Sequence, residues 1–142
     1  MTREAIYAAL FAKLSAISGL KKSSRRLLHW SDVSPADQPA LFMARGSEQI
    51  QQVTGQPSRV TLEAKVYVYA HVTDPNAAPS TAINGLLDQI TAAVAPGQGP
   101  QNKQTLGGLV EHCWIDGEIV TDEGSLGDQA AAIFIIKMLT TT

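Results

Sequence analysis

The stretch VTLEAKVYVYAHV, residues 60–72, carries an apolar side chain at every even position (Val60, Leu62, Ala64, Val66, Val68, Ala70, Val72). Thr61, Glu63, Lys65, Tyr67, Tyr69 and His71 fill the odd ones. Successive side chains of an extended chain point to opposite faces, so an unbroken period of two predicts a strand. At about 3.3 Å per residue it would run about 43 Å, more than twice a common strand. That length predicts a strand that bends, or one that projects beyond its sheet as an arm for a neighbour.

Outward from this strand, Leu41 to Ile50 reads as its predecessor, with the segment ending at Pro57 as the turn between them. Ile6, Tyr7, Leu10, Phe11, Leu14 and Ile17 recur at three- and four-residue steps, predicting a helix over about Thr2 to Ser18 that ends at Gly19. A second helix is predicted from Ser80, which can cap it, to Pro96, with Ile83, Leu86, Leu87, Ile90 and Val94 on one face. Leu109 to Thr121 and Ala130 to Leu139 read as strands joined by the hairpin loop DEGSLGDQ. A short strand is expected over Arg25 to Trp30, and residues 95–108 read as a long connection. The plan is α+β: an antiparallel or mixed sheet of four to five strands, two helices on one face, long projecting hairpins. The last strand, AAIFIIKML, is apolar on both faces, so its second face needs a cover, with another subunit as the candidate.

The 142 residues suit one domain, and 44% hydrophobic against 17% charged residues argues for a globular chain rather than a disordered one. No stretch has the ~20 apolar residues of a membrane span, and Glu4 and Lys13 interrupt the N-terminal run, so a cytoplasmic site of synthesis is expected. The net charge of −2 conceals a polarity: residues 1–65 hold nine Lys/Arg against five Asp/Glu, and residues 66–142 hold two against eight. A nucleic-acid binder of this size is more often basic throughout.

The residue types that carry catalysis do not combine into a catalytic constellation in this sequence. His29, His71 and His112 all fall in predicted strands, and His112 beside Cys113 would point to the opposite face, so the two cannot pair. The single cysteine is expected to be a buried thiol, and it excludes an internal disulfide or a multi-cysteine zinc site. Asp122-Glu123-Gly124 lacks the ligand ladder of a calcium loop and reads as a solvated hairpin tip. The glycines form no phosphate cradle. Tyr67 and Tyr69 share a strand face and could stack bases, but Glu63 beside them favours sheet or interface tyrosines. Arg25 and Arg26 with Trp30, joined by Lys21 and Lys22, read either as a solvated turn or as a protein-protein contact.

Four segments carry a resemblance: SRRLLHWSDVSPADQPALF (24–42), VYVYAHV (66–72), NGLLDQITAAV (84–94) and QTLGGLVEHCWIDGEIVTDEGSLGDQAAAIFIIKML (104–139). Together they resemble the tail terminator proteins of long-tailed bacteriophages, the group of the lambda-type minor tail protein U. The resemblance rests on order and local wording, with no catalytic signature. It implies a structural virion protein, six copies of which ring the head-proximal end of the tail tube, end its polymerisation and present a docking surface to the neck. It also implies a sheet backed by two helices with long hairpins, no enzyme activity, no cofactor and no metal. The implied partners are copies of the chain, the tail tube protein and the neck or connector protein, with no membrane and no sequence-specific nucleic acid. Another neck or tail-completion protein is the alternative, and a nucleic-acid-binding module a more distant one.

A head-to-tail ring joins two different patches of one chain, which suits a chain of polarised charge. The candidate contact residues are Arg25, Arg26, Trp30, Tyr67 and Tyr69, with Asp122, Glu123 and Asp128 opposite. Exposed ion pairs contribute only up to ~1 kcal/mol each, so apolar burial must supply most of the ring's stability. If Arg25 and Arg26 face the 122–128 loop of a neighbour, exchanging both for glutamate converts the ring to monomer by light scattering; an unchanged ring would refute that pairing.

Overall fold

The computed structural model describes residues 1–97, 101–125 and 127–142. Parts of the 95–108 connection and of the 122–129 loop, residues 98–100 and Leu126, lie outside the described residues. The elements run α1 (Arg3–Ser15), β1 (Lys22–Ser24), β2 (Ala40–Gln51), β3 (Arg59–His71), α2 (Ser80–Ala93), β4 (His112–Glu123) and β5 (Gln129–Thr141), with two 3-10 turns at Trp30–Asp32 and Pro35–Asp37. The five strands form one mixed sheet in the order β1-β2-β3-β5-β4, parallel only between β1 and β2. This is the α+β plan expected from the pattern of periods.

β3 is the strand whose alternation is cleanest, and it lies at the centre. It pairs with β5 along its whole length, from Arg59 opposite Thr141 to His71 opposite Gln129, and with β2 from Arg59 to Tyr69. Its length is therefore held inside the sheet, and the expected projecting arm is not formed by this strand. The even residues Val60 to Ala70 are fully buried against Ile6, Tyr7, Leu10 and Leu14 of α1 and Ile83, Leu86 and Ile90 of α2, so both helices cover one face. Burying such side chains contributes about 1.5–3 kcal/mol each.

The helix ends differ from expectation. α1 stops at Ser15, and Ile17, the last residue of the apolar stripe, packs against the core from the following turn. Ser80 does not cap α2; its own N–H donates to Glu123 Oε2 at 2.7 Å, so a carboxylate 43 residues away satisfies the first turn. The short strand expected over residues 25–30 lies upstream at Lys22–Ser24, and His29, taken for a strand residue, caps the 3-10 turn at Trp30.

Both outer long strands are bulged. In β2 the register with β3 shifts between Arg45 and Glu48, where Gly46 passes so close to β3 that an added Cβ would lie 2.9 Å from Glu63 Cβ. In β4 the shift falls between Asp116 and Val120, at Gly117 with φ +73°.

The obstacle at Gly46 is the root of a side chain and a backbone carbonyl, neither of which can swing away. Gly46→Ala is expected to lower unfolding free energy by about 1–3 kcal/mol, read from a urea midpoint; a midpoint equal to that of the parent would mean that the bulge relaxes.

Candidate interaction surface

The face of the sheet turned away from the helices carries a second, smaller cluster of Val33, Ala40, Phe42, Tyr69 and Ala131, with Leu28, Trp30 and Tyr67 packed against it. It forms because the chain between β1 and β2 folds back over this face. The Tyr69 hydroxyl donates to Leu28 O at 2.9 Å, the Gln38 amide donates to Val33 O at 3.1 Å and to Gln129 Oε1 at 2.9 Å, and Phe42 and Tyr69 pack with ring centres 5.6 Å apart. Burial pushes the Tyr69 phenol up from its ordinary range, so it remains a hydrogen-bond donor at neutral pH. The cover expected for β5 is thus supplied in part by the chain itself.

The cover is incomplete, and where it stops a groove of about 430 Å³ opens, lined by Leu27, Leu28, His29, Trp30, Tyr67, Tyr69, Asp122, Ala131 and Ile133. Its floor is set by strand register: Tyr67 lies opposite Ile133 and Tyr69 opposite Ala131, and on β4 Val120 and Asp122 continue the same two rows. Ile133 is 41% exposed and Val120 54%, although both lie on a sheet face with apolar neighbours. Four of the residues singled out in the sequence, Trp30, Tyr67, Tyr69 and Asp122, meet here. Leu27, Ile133 and Val120 were not singled out, though the double-sided apolar pattern of the last strand pointed to Ile133.

The other four lie elsewhere. Arg25 pairs with Glu4 on α1, its guanidinium 6.0 Å from the centre of the Tyr7 ring, and that hydrogen bond holds the Glu4 carboxyl below its usual range. Arg45 approaches the same ring at 5.9 Å, and Glu48 is shared between Arg3 and Arg45. Arg26 stands exposed just past β1, its N–H on Ser24 Oγ. Glu123 is occupied at the start of α2, while the Asp128 carbonyl accepts the Val72 N–H at 2.9 Å. Asp122 accepts a hydrogen bond from the Ser125 hydroxyl.

Among the described residues no catalytic triad accompanies the groove: His29 Nδ1 and Ser31 Oγ lie 2.7 Å apart, but both belong to the cap of the Trp30–Asp32 turn, and no carboxylate bonds the imidazole to orient it. His112 and Cys113 turn to opposite faces, as strand alternation requires: His112 stacks on Trp114 with ring centres 5.3 Å apart, and Cys113 is fully buried beneath α2. Desolvation pushes the thiol up to about 12, so it stays protonated at neutral pH, as a buried structural thiol does. Among the described residues, no three of His, Cys, Asp and Glu converge as metal ligands would. An exposed apolar groove rimmed by an acidic side chain is instead suited to holding a protein surface.

The fold defines a class: a mixed five-stranded sheet with two helices on one face and a returning segment on the other. A particular solved structure of that class is a chain from the virion of a native gene transfer agent (GTA) particle. It superposes with a TM-score of 0.56 at 9% sequence identity, over 95% of this chain and 93% of that one. At this identity the likeness is one of fold. No protein-family description and no curated protein matches the sequence.

Cys113 gives the groove-bearing fold an alkaline limit. The folded state favours the neutral thiol, so the stability due to its burial is intact below the unfolded value of about 8.5 and is lost as pH rises toward about 12. The urea midpoint of the parent is expected to fall more steeply above pH 9 than that of Cys113→Ala; parallel curves would contradict this assignment.

Proposed function

We propose that this chain is a structural virion protein that forms a ring on the head-proximal end of a phage-type tail tube, ending its polymerisation and offering a docking surface to the neck. The observation that carries the reading is the fold shared, over nearly the full length of both chains, with a chain from the virion of a gene transfer agent particle. Three features of the chain support it: the resemblance of residues 24–42 and 104–139 to tail terminators, an exposed apolar groove built from Trp30, Tyr67, Tyr69 and Ile133, and the lack of any nucleophile, base and orienting group in contact among the described residues. The reading assigns no enzymatic step and no cofactor.

In this reading the groove is a contact surface for the tube or the neck, and the two charged regions belong to contacts between copies. Arg25 is engaged with Glu4, so within the cluster of residues 21–26 it is Lys21, Lys22 and Arg26 that make no ion pair among the described residues and can meet an acidic neighbour.

Assembly of tails in the absence of this protein, followed by electron microscopy, tests the role. Overlong tails are expected, and tails of normal length when the purified protein is present from the start of assembly. Tails of normal length beside unjoined heads would point instead to a neck or head-tail joining protein. Exchange of the exposed Ile133 for aspartate is expected to leave the circular dichroism spectrum unchanged and to weaken capping at least tenfold; full capping by that variant would remove the groove from the contact.

A further inference from the structure

The strand order converts the polarity of the sequence into a polarity across the sheet. The basic first half of the chain supplies β1 and β2 at one edge, and the acidic second half supplies β4 at the other. Register makes the match sharper. Following the pairs across the sheet, Lys22, Ala40, Tyr69, Ala131 and Asp122 form one row, and Ser24, Phe42, Tyr67, Ile133 and Val120 form another. Lys22 and Asp122 thus stand at the same height on opposite edges.

The two edges are also open. β1 pairs only with Ala40–Phe42, so β2 from Met43 to Gln51 has no strand on its outer side among the described residues, and β4 has none along its outer side. Lys21, Lys22 and Arg26 at the one edge, and Glu118 and Asp122 at the other, make no ion pair among the described residues. Strand direction completes the fit. Because β2, β3, β5 and β4 alternate, a second copy laid sideways brings its β4 antiparallel to β1 and β2.

We propose that a second copy of this chain docks its β4 edge, carrying Glu118 and Asp122, against the β1–β2 edge carrying Lys21, Lys22 and Arg26, so that one sheet runs on into the next. The contact is heterologous: each copy uses its basic edge on one side and its acidic edge on the other, the arrangement that closes into a ring when the rotation between copies allows it. Main-chain hydrogen bonds along the open edges supply the joint and the charges select the partner edge. The inference rests on the reading of the chain as a ring-former and names the joint of that ring.

Charge reversal at the two edges, read by light scattering on the purified chain, tests it. Lys22→Glu with Arg26→Glu makes both edges acidic, and Glu118→Lys with Asp122→Lys makes both basic; Glu123 is left alone because it holds the start of α2. Each variant is expected to need at least tenfold more protein than the parent for half-assembly. An equimolar mixture of the two should assemble like the parent, since every joint then has one acidic and one basic edge. Variants that assemble like the parent, a mixture that stays monomeric, or a parent that never assembles would each overturn the proposal. Because the assay contains no tails, a parent that assembles but fails to cap them sinks the tail reading and leaves the joint standing. Capping by both reversed variants alone does the opposite.

Discussion

The constraint on which the structure depends is the pairing of β3 along its whole length with β5 on one side and for most of it with β2 on the other. A thirteen-residue strand with a strict period of two divides the space around it into an apolar side and a mixed side, and its neighbours inherit that division through register. On the apolar side Val66 sets Phe134 and Met43 toward the helices. On the other, Tyr67 sets Ile133 and Phe42 toward the returning segment. A slip of one residue would exchange the two layers, so the helical core and the groove are fixed by the same ladder.

The helix layer is tied to that ladder by polar contacts at its margins. The Tyr7 hydroxyl of α1 donates to Glu63 O at 2.8 Å, on the strand that the core residues of α1 cover. Glu123, near the end of β4, receives the first N–H of α2. The second contact links the β4–β5 hairpin to the crossover helix, so the acidic edge of the sheet and the start of α2 are positioned together.

Elements with long, regular periods were legible in the sequence: the central strand, α2 and the double-sided apolar pattern of the last strand. What could not be read was set by partners distant in sequence. β1 is three residues long and is defined by Ala40–Phe42 rather than by any pattern of its own. The carboxylate at the start of α2 comes from Glu123, and nothing local to Ser80 signals it. For the surface, Trp30, Tyr67, Tyr69 and Asp122 were recognisable as unusual residues, but that they meet depends on β5 entering between β3 and β4. The same insertion sends the acidic half of the chain to the far edge, which makes a charge imbalance along the chain into a geometric one. The partner of Arg25 was hidden for a related reason: Glu4 lies on a helix 21 residues earlier.

The bulges bear on how the open edges of the sheet meet other strands. A long, flat, unpaired strand is a template for indiscriminate pairing and for fibrous aggregation. Here the register breaks divide β2 into paired runs ending at Arg45 and resuming at Glu48, and β4 into runs ending at Asp116 and resuming at Val120. A stray strand meeting either edge therefore finds only a few consecutive ladder positions before the backbone kinks away, and it finds them flanked by charge. Gly46 and Gly117, which permit these bulges, therefore shorten the run of free ladder positions that each edge presents.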